Sequence, residues 1–472
     1  MSSKSEEKHG GEEGDALGPL GMVDGGQYIV EATWNMVSDI IQKGGTIIGS
    51  ARCKDFRTVE GRKKHGITNL VCIGGDGTLT GANQFRKDWP DFVKDLQSEG
   101  KVTADQAKAC AQIQIVGLVG SIDNDFCGTD MTIGTDSALH RSDFGFYFAY
   151  KLCTESSTRL TRSLPPLTLI SAPSSLSETR AAGQRLNIIV VAEGALDRDG
   201  EPITPDQVRK VVEDRLKYDI RVTVLGHVQR GGNPSAFDRL LGVRMGAEAV
   251  LALMEMNEKS EACVISIDGN RMVRVPLMQC VERTQKVQAA MNERNFELAV
   301  QLRGRSFQHN MSTYRLFHKI HAPKDVEGSD AKQNYNVAVM NVGAPACGMN
   351  AAVRSFVRSA IHHHCTVYGI HNSFEGLANG ELKPLNWTDV TGWTGQGGSY
   401  LGTQKQTPEK LISKCAAMLI SYNIHALLII GGFEAYHSAL VLAQNRSQHP
   451  GLQIPIAVVP ATISNNVPGT RC

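Results

Sequence analysis

The chain has 472 residues, 41% hydrophobic and 21% charged, which suits a soluble globular protein of more than one domain. A formal net charge of +1 excludes general electrostatic attraction to nucleic acid or to an anionic membrane, so any anion site has to be built locally. Eleven cysteines, odd in number and without a Cys-x-x-Cys pair, argue against a disulfide framework and point to reduced thiols.

Residues 1–20 are polar and glycine-rich and are expected to form a disordered tail, with no apolar core to act as a signal peptide. No run of ~18 apolar residues follows, so no membrane span is expected, and the cytoplasm is the expected location. From about Gly21 short apolar runs alternate with helical stretches. Residues 68–73 read as a buried strand entering Gly74-Gly75-Asp76-Gly77-Thr78, and 113–119 as a second strand entering Gly120-Ser121-Ile122-Asp123-Asn124-Asp125. Residues 142–177, rich in Ser, Thr, Leu and Pro, sustain neither helical nor strand periodicity and read as a loop or a segment foreign to the fold. Two further strands are expected at 187–192 and 222–225.

Between these strands, Val208, Val211, Val212 and Leu216 recur at helical spacing and predict a helix over 205–216. Ser235-x-x-Asp238 predicts a capping box opening a helix that runs through 253. Residues 322–335 read as a linker, and a strand at 337–342 restarts the alternation. The His362-His363-His364 run reads as a polar face, because no carboxylate or thiolate partners stand near it in sequence. Strands alternating with helices predict a doubly wound α/β fold, with mostly parallel sheets covered by helices on both faces and ligands at strand C-termini.

The pattern occurs twice. Gly45 and Gly49 align with Gly398 and Gly402 at an offset of 353, and 21–25 aligns with 376–380 at 355. Asp76 aligns with Phe433 at an offset of 357, and Asp123 with Ser464 at 341, which implies an insertion in the first copy. Asp125 becomes Asn466. Two homologous halves are therefore expected, 21–321 and 336–472, with chemistry in the half that keeps its acids and binding in the other.

Each loop has a chemical reading. Gly-Gly-Asp-Gly-Thr lets the backbone approach a nucleotide phosphate, offers amides as an anion nest, and supplies Asp76 for Mg²⁺. A tight strand-to-helix turn with an N-cap aspartate would look the same, and other kinases share the motif. In Gly-Ser-Ile-Asp-Asn-Asp, one carboxylate can accept the proton of an attacking hydroxyl while the other serves a metal or orients its neighbour; an Asx-turn is the simpler alternative. Gly226-His227-Val228-Gln229-Arg230-Gly231-Gly232 gathers donors for phosphate between glycines, or is a solvated loop. Arg52 is a phosphate candidate or a surface ion-pair residue. Glu193 could accept sugar hydroxyls or be an ordinary loop carboxylate.

Together these motifs, with Ser121-Ile-Asp-Asn-Asp-Phe-Cys-Gly-Thr-Asp130 and Trp393-Thr-Gly-Gln-Gly-Gly-Ser399, resemble the ATP-dependent 6-phosphofructokinases of the duplicated animal type. The resemblance runs over about 21–141 and 176–469. It implies transfer of the γ-phosphoryl group of ATP to the 1-hydroxyl of fructose 6-phosphate, with Asp123 as general base and Asp76 as Mg²⁺ ligand. It implies ATP contacts at Arg52, Cys53, Gly75, Asp76, Gly77 and Thr78. Sugar-phosphate contacts are implied at Ser121, Ile122, Asp123, Glu193, Arg221, His227, Val228, Gln229 and Arg230. For the second half it implies an effector site, including one for fructose 2,6-bisphosphate, with Lys405, Thr462, Ile463, Ser464, Asn465 and Asn466 matching part of it. A homo- or hetero-tetramer of family subunits is implied, with sites that borrow residues across an interface.

Three departures from the family accompany the match. The second half has the opening loop 341–350, but the first begins after the position of its counterpart; 142–177 stands where a Met-Gly-Arg loop is expected; and the chain stops at Cys472, soon after the second loop pair. These departures predict two incomplete halves with exposed sheet edges and weak or no turnover. A non-catalytic regulatory or dominant-negative subunit is the alternative from another class. Another Gly-Gly-Asp-Gly kinase, such as an NAD kinase, is disfavoured by the Ser-Ile-Asp-Asn-Asp and His-Val-Gln-Arg loops.

Overall fold

A computed structural model describes residues 29–49, 68–141, 201–257, 259–320 and 335–469, with positions 177, 180, 189, 191 and 195. The expected tail at 1–20, the segment 142–177, the strand at 187–192 and the linker at 322–335 lie wholly or almost wholly outside the described residues. There are two compact units: 29–141 and 201–311 belong to the first, and 312–469 to the second.

The first unit contains β1 (Asn69–Gly74), α1 (Asp76–Ser98), α2 (Ala104–Ala109), β2 (Gln114–Ser121), β3 (Ile133–Gly134) and α3 (Thr135–Arg141). There follow α4 (Pro205–Leu216), α5 (His227–Arg230), α6 (Ala236–Glu255), β4 (Cys263–Asp268), β5 (Arg271–Pro276), α7 (Leu277–Asn292) and α8 (Phe296–Arg303), then α9 (Arg305–Lys319). The sheet order is β1-β2-β4-β5, parallel except for the β4–β5 hairpin, and β3 pairs with the end of β2. Strand alternation sorts β2 onto two cores. Ile115 and Val119 meet Leu79 and Phe85 of α1 and Leu277 and Val281 of α7. Val116 and Leu118 face the other way, onto Leu241 and Met245 of α6. Burial on both faces explains why β2 reads as a continuous apolar run. Gly117 keeps the first core closed, since a Cβ there would stand 2.6 Å from Leu79 Cδ2.

The helix expected over 205–216 is α4, and its Thr204 cap is reciprocated by Gln207. The strand expected at 222–225 does not form: the segment has no regular secondary structure, and Val224 is 83% exposed. A strand is held by its ladder, and among the described residues no strand of the first sheet pairs with this segment. At α6 only half of the expected capping box exists. Ser235 accepts from the Asp238 amide, but the Asp238 carboxylate is turned to α3 instead.

The second unit contains β6 (Asn336–Val342), α10 (Met349–His362), β7 (Thr366–Ile370), α11 (Ser373–Asn379) and β8 (Leu382–Pro384). It continues with α12 (Ile412–Ser421), β9 (Ile424–Gly431), α13 (Phe433–Gln444) and β10 (Ile456–Pro460). Its sheet runs β10-β9-β6-β7-β8, parallel except for β8. Ala338, Met340 and Val342 of β6 face Phe374, Leu377, Leu419 and Leu442, while Val337 and Val339 face Met349, Val353 and Val357 of α10. The expectation of a doubly wound, mostly parallel α/β fold is therefore met in each unit.

One position is at odds with its backbone. Ser373 opens α11 at φ 62°, directly after Asn372 at φ 55°. It is fully buried, and its hydroxyl has no hydrogen-bond partner among the described residues. A non-glycine residue in the left-handed region costs about 1–2 kcal/mol, and a buried unpaired hydroxyl adds a similar cost. The entropy that glycine gains in the unfolded chain, about 0.4–1 kcal/mol, opposes this. Ser373→Gly is expected to stabilise the second unit by about 1–2 kcal/mol. A thermal melt in which the midpoint falls or stays put would refute the strain.

Candidate functional site

The acid-bearing loops leave neighbouring strands at the same end of the first sheet. β1 and β2 are parallel, with Gly74 opposite Val119, so Gly74–Thr78 and Gly120–Asp125 emerge side by side. In the first loop, a Cβ on Gly74 would stand 2.4 Å from Thr78 Oγ1, so only glycine lets Thr78 fold back over the strand end. Gly75 caps α1 without a side chain, and its carbonyl accepts from the amides of Thr78 and Leu79. The free amides at the start of a 23-residue helix favour an anion there.

Asp76 is the first residue of α1, and Thr80 Oγ1, one turn on, donates to its Oδ1 at 3.3 Å. Burial pushes the Asp76 carboxyl above its usual range, the Thr80 hydrogen bond opposes this, and the charge of Asp125 adds to it. Asp76 and Asp125 are thus close enough for their charges to repel, although they come from different strands.

The second loop is held at several points. Ser121 Oγ accepts from the Asp123 amide at 3.2 Å and donates to Asp125 Oδ1 at 3.4 Å. The hydroxyls of Thr132 and Thr135 both donate to the Ser121 carbonyl, at 2.6 and 3.0 Å. Asn124 takes a left-handed conformation, φ 50°, which asparagine tolerates. Its Oδ1 accepts from the Thr132 amide at 3.0 Å, and its Nδ2 reaches the Asp130 carbonyl at 3.4 Å. The Arg303 guanidinium donates to its backbone carbonyl. Beyond the acids, Phe126 and Cys127 are buried, and the Cys127 amide donates to Thr284 Oγ1 of α7.

The other expected residues are distributed as follows. Arg52, Cys53 and Glu193 lie outside the described residues, and only the backbone of His227 and Val228, in α5, is described. Gln229 is buried, and its Oε1 accepts from the Gly226 amide at 2.7 Å, so this oxygen serves the turn. Arg230 is exposed beside it. Arg221 is exposed and stands 3.5 Å from Asp219. Ile122 and Ser121 sit at the mouth of the second loop, half-buried. Lys405 is exposed, one residue after Gln404, whose carbonyl accepts from Gly343.

Residues 462–466 repeat the second loop closely. The Ser464 amide donates to Thr462 Oγ1 at 3.1 Å, as Asp123 does to Ser121, and Asn465 has φ 48° where Asn124 has 50°. Gly431 of β9 stands opposite Pro460 of β10, the same pairing as Gly74 and Val119 at the offsets read from sequence. Gly45 and Gly49 have positive φ, as do Gly398 and Gly402. Thr462 and Asn465 line a shallow concavity with Pro460 and Val467. The scaffold of the second site is thus retained without the acids at 433, 464 and 466. One carboxylate does stand there: Glu434 reaches across Gly343, to within 2.9 Å of where a Cβ would lie.

Sequence reasoning did not single out Thr80 or Arg303. Thr80 had a local signal, at i+4 from Asp76. Arg303 is 179 residues from Asn124 and had none. Among the described residues no three His, Cys, Asp or Glu side chains cluster to hold a metal by themselves, the histidine run included, and no helix is long and apolar enough to cross a membrane.

A family model described as phosphofructokinase matches residues 16–143, 166–253 and 336–472. The chain is 58% identical over 487 residues to ATP-dependent 6-phosphofructokinase 1 of Caenorhabditis elegans, covering 95% of this chain. It is 52% identical to the muscle-type ATP-dependent 6-phosphofructokinase of Canis lupus familiaris, covering 96%. The chain spans 60% and 62% of the length of these two relatives. Among solved structures, phosphofructokinase from Saccharomyces cerevisiae matches with a TM-score of 0.87 at 35% identity, over 98% of this chain and 66% of that one. The T-state structure from Pichia pastoris matches with a TM-score of 0.81 at 36% identity, over 96% of this chain and 54% of that one. The matched stretches contain both copies of the paired loops, and with identity above one half along nearly the whole chain they establish that it belongs to the phosphofructokinase family.

Proposed function

We propose that the first unit carries the phosphoryl-transfer site of an ATP-dependent 6-phosphofructokinase, moving the γ-phosphoryl group of ATP to the 1-hydroxyl of fructose 6-phosphate. The observation that carries this reading is the side-by-side exit of two loops, one glycine-rich at a helix start and one bearing Asp123 and Asp125. The amides of 75–77 suit ATP phosphates, with Thr78, Arg52 and Cys53 completing that side. Asp123 accepts the proton of the sugar 1-hydroxyl as the phosphoryl group transfers. Ser121, Ile122, Glu193 and the loop with His227, Val228, Gln229 and Arg230 orient the sugar phosphate, and the exposed Arg221 suits a residue lent to a neighbouring subunit of a tetramer.

Mg²⁺ fits the donor set. It is usually held by one or two carboxylates together with phosphates, and Asp76 with Asp125 offers such a pair of hard oxygen ligands whose mutual repulsion a cation would relieve. When bound, it would neutralise charge on the transferring phosphate.

In the second unit the same scaffold serves binding. Lys405, Thr462, Ile463, Ser464, Asn465 and Asn466 form part of an effector site for fructose 2,6-bisphosphate. Location in the cytoplasm follows from the same reading.

The test is a coupled assay on the purified chain. Fructose 1,6-bisphosphate is expected to appear only when ATP, Mg²⁺ and fructose 6-phosphate are all present, and slowly, given the weak turnover that the departures from the family pattern predict. Absence of product at micromolar chain concentrations, with ATP still bound in calorimetry, would end the catalytic reading for this chain.

A further inference from the structure

The guanidinium of Arg303 is held beneath the Asp123 loop by a second element of the fold. Arg303 is the last residue of α8, followed by Gly304 at φ 97°, which turns the chain away. Its side chain passes over the Phe307 ring, 5.0 Å from the centroid, and donates to the Asn124 carbonyl. Nε and Nη1 are shut off from solvent with no oxygen or nitrogen acceptor, and the Cys127 side chain is the guanidinium's other polar contact. A buried guanidinium with unpaired donors is costly, and apolar packing alone would not select one here. What it touches is the backbone of the one left-handed residue between the two acids. The carbonyl it holds lies next to Asp125, whose charge it also feels. Cys127 lies on the same side, and Asp76 of α1, Cys280 and Arg283 of α7, and Asp130 are among the titratable groups around the loop.

We propose that Arg303 is a positioning residue: by holding the Asn124 carbonyl against α8 it fixes the left-handed turn that sets the direction of Asp123. This rests on the phosphoryl-transfer reading above for its catalytic consequence, though not for its structural one. The side chains of Asn124, Thr132 and Thr135 anchor the loop near the β2 end, Thr284 of α7 holds the Cys127 amide beyond it, and Arg303 of α8 holds the carbonyl between the two acids. Without it the loop keeps its fold but loses its fixed aim. Displacing a catalytic group by about 1 Å can cost on the order of 100-fold in rate.

The test compares Arg303→Met and Arg303→Lys in the full chain. Arg303→Met is expected to lower kcat about 10–100-fold per folded molecule, with the KM for MgATP within about twofold, because the glycine loop is untouched. Arg303→Lys is expected to recover at least about fivefold of that loss, since an ammonium keeps the charge and one donor. A kcat within twofold of the parent for Arg303→Met, or no difference between Met and Lys, overturns the proposal. Hydrogen exchange over 119–132 is read on the same samples. It is expected to quicken in Arg303→Met whether or not the parent turns over, so a failure of the phosphofructokinase reading is told apart from a failure of this one. Unchanged exchange in a folded Arg303→Met chain also overturns it.

Discussion

Replacing Asp123 with serine is expected to lower kcat about 10²–10⁴-fold, the range that a general base contributes, while leaving the fold and the KM for MgATP nearly unchanged. The protein contains its own control for this substitution. Ser464 occupies the equivalent position in the second unit, and there the turn forms with the same amide-to-hydroxyl bond and the same left-handed asparagine. The local turn is therefore written by the Ser121 hydroxyl and Asn124, whose counterparts are Thr462 and Asn465, and not by the acid, so removing the carboxylate should subtract chemistry without subtracting structure. Circular dichroism and thermal unfolding should overlay those of the parent chain, and the coupled assay should show the loss. A kcat within tenfold of the parent would mean that another group takes the sugar proton. A collapse of stability would mean that the two copies of the loop are not equivalent.

Much of this site could be read in advance because its determinants are local. A strand running into glycines and an aspartate is a contiguous signal, and β1, β2, α4 and β6 begin and end within about two residues of where pattern and capping chemistry put them. The duplication was legible for the same reason: Asn124 and Asn465 sit at one place in one turn, and asparagine tolerates the left-handed backbone both require. What could not be read depends on partners far away in the chain. Residues 222–225 alternate like a strand, but alternation says nothing about whether a ladder is available. Ser373 carries no sign that its backbone is left-handed. Arg303 looks like any charged residue at a helix end until the loop it supports is seen above it.

Asp238 joins these two categories, and its removal is expected to be the most damaging change to the stability of the first unit. The spacing from Ser235 suggested a residue bonding back within its own helix. Instead the carboxylate, 4% exposed, accepts from the Gly134 amide at 3.0 Å, the Ser137 amide at 2.8 Å and the Ser137 hydroxyl at 2.5 Å. Ser137 Oγ in turn accepts from the Ser235 amide at 2.9 Å, and Ser235 Oγ donates to Asp136 at 2.6 Å, so α3 and α6 are tied start to start. Asp238→Ala would leave three donors without their acceptor and take the negative charge from the start of α3. At about 1–3 kcal/mol for each buried unpaired group, with partial relief from rotation of the serine hydroxyl, the expected loss is about 3–5 kcal/mol. Asp238→Asn keeps one acceptor and should cost about half as much. The damage should also reach the chemistry, because Thr135, in the first turn of α3, donates to the Ser121 carbonyl at the root of the Asp123 loop. Hydrogen exchange should report faster opening across 131–141 and 236–255 together, and kcat should fall along with it. Exchange confined to α6, with α3 and turnover unaffected, would show that Asp238 stabilises its own helix and does not couple it to the site.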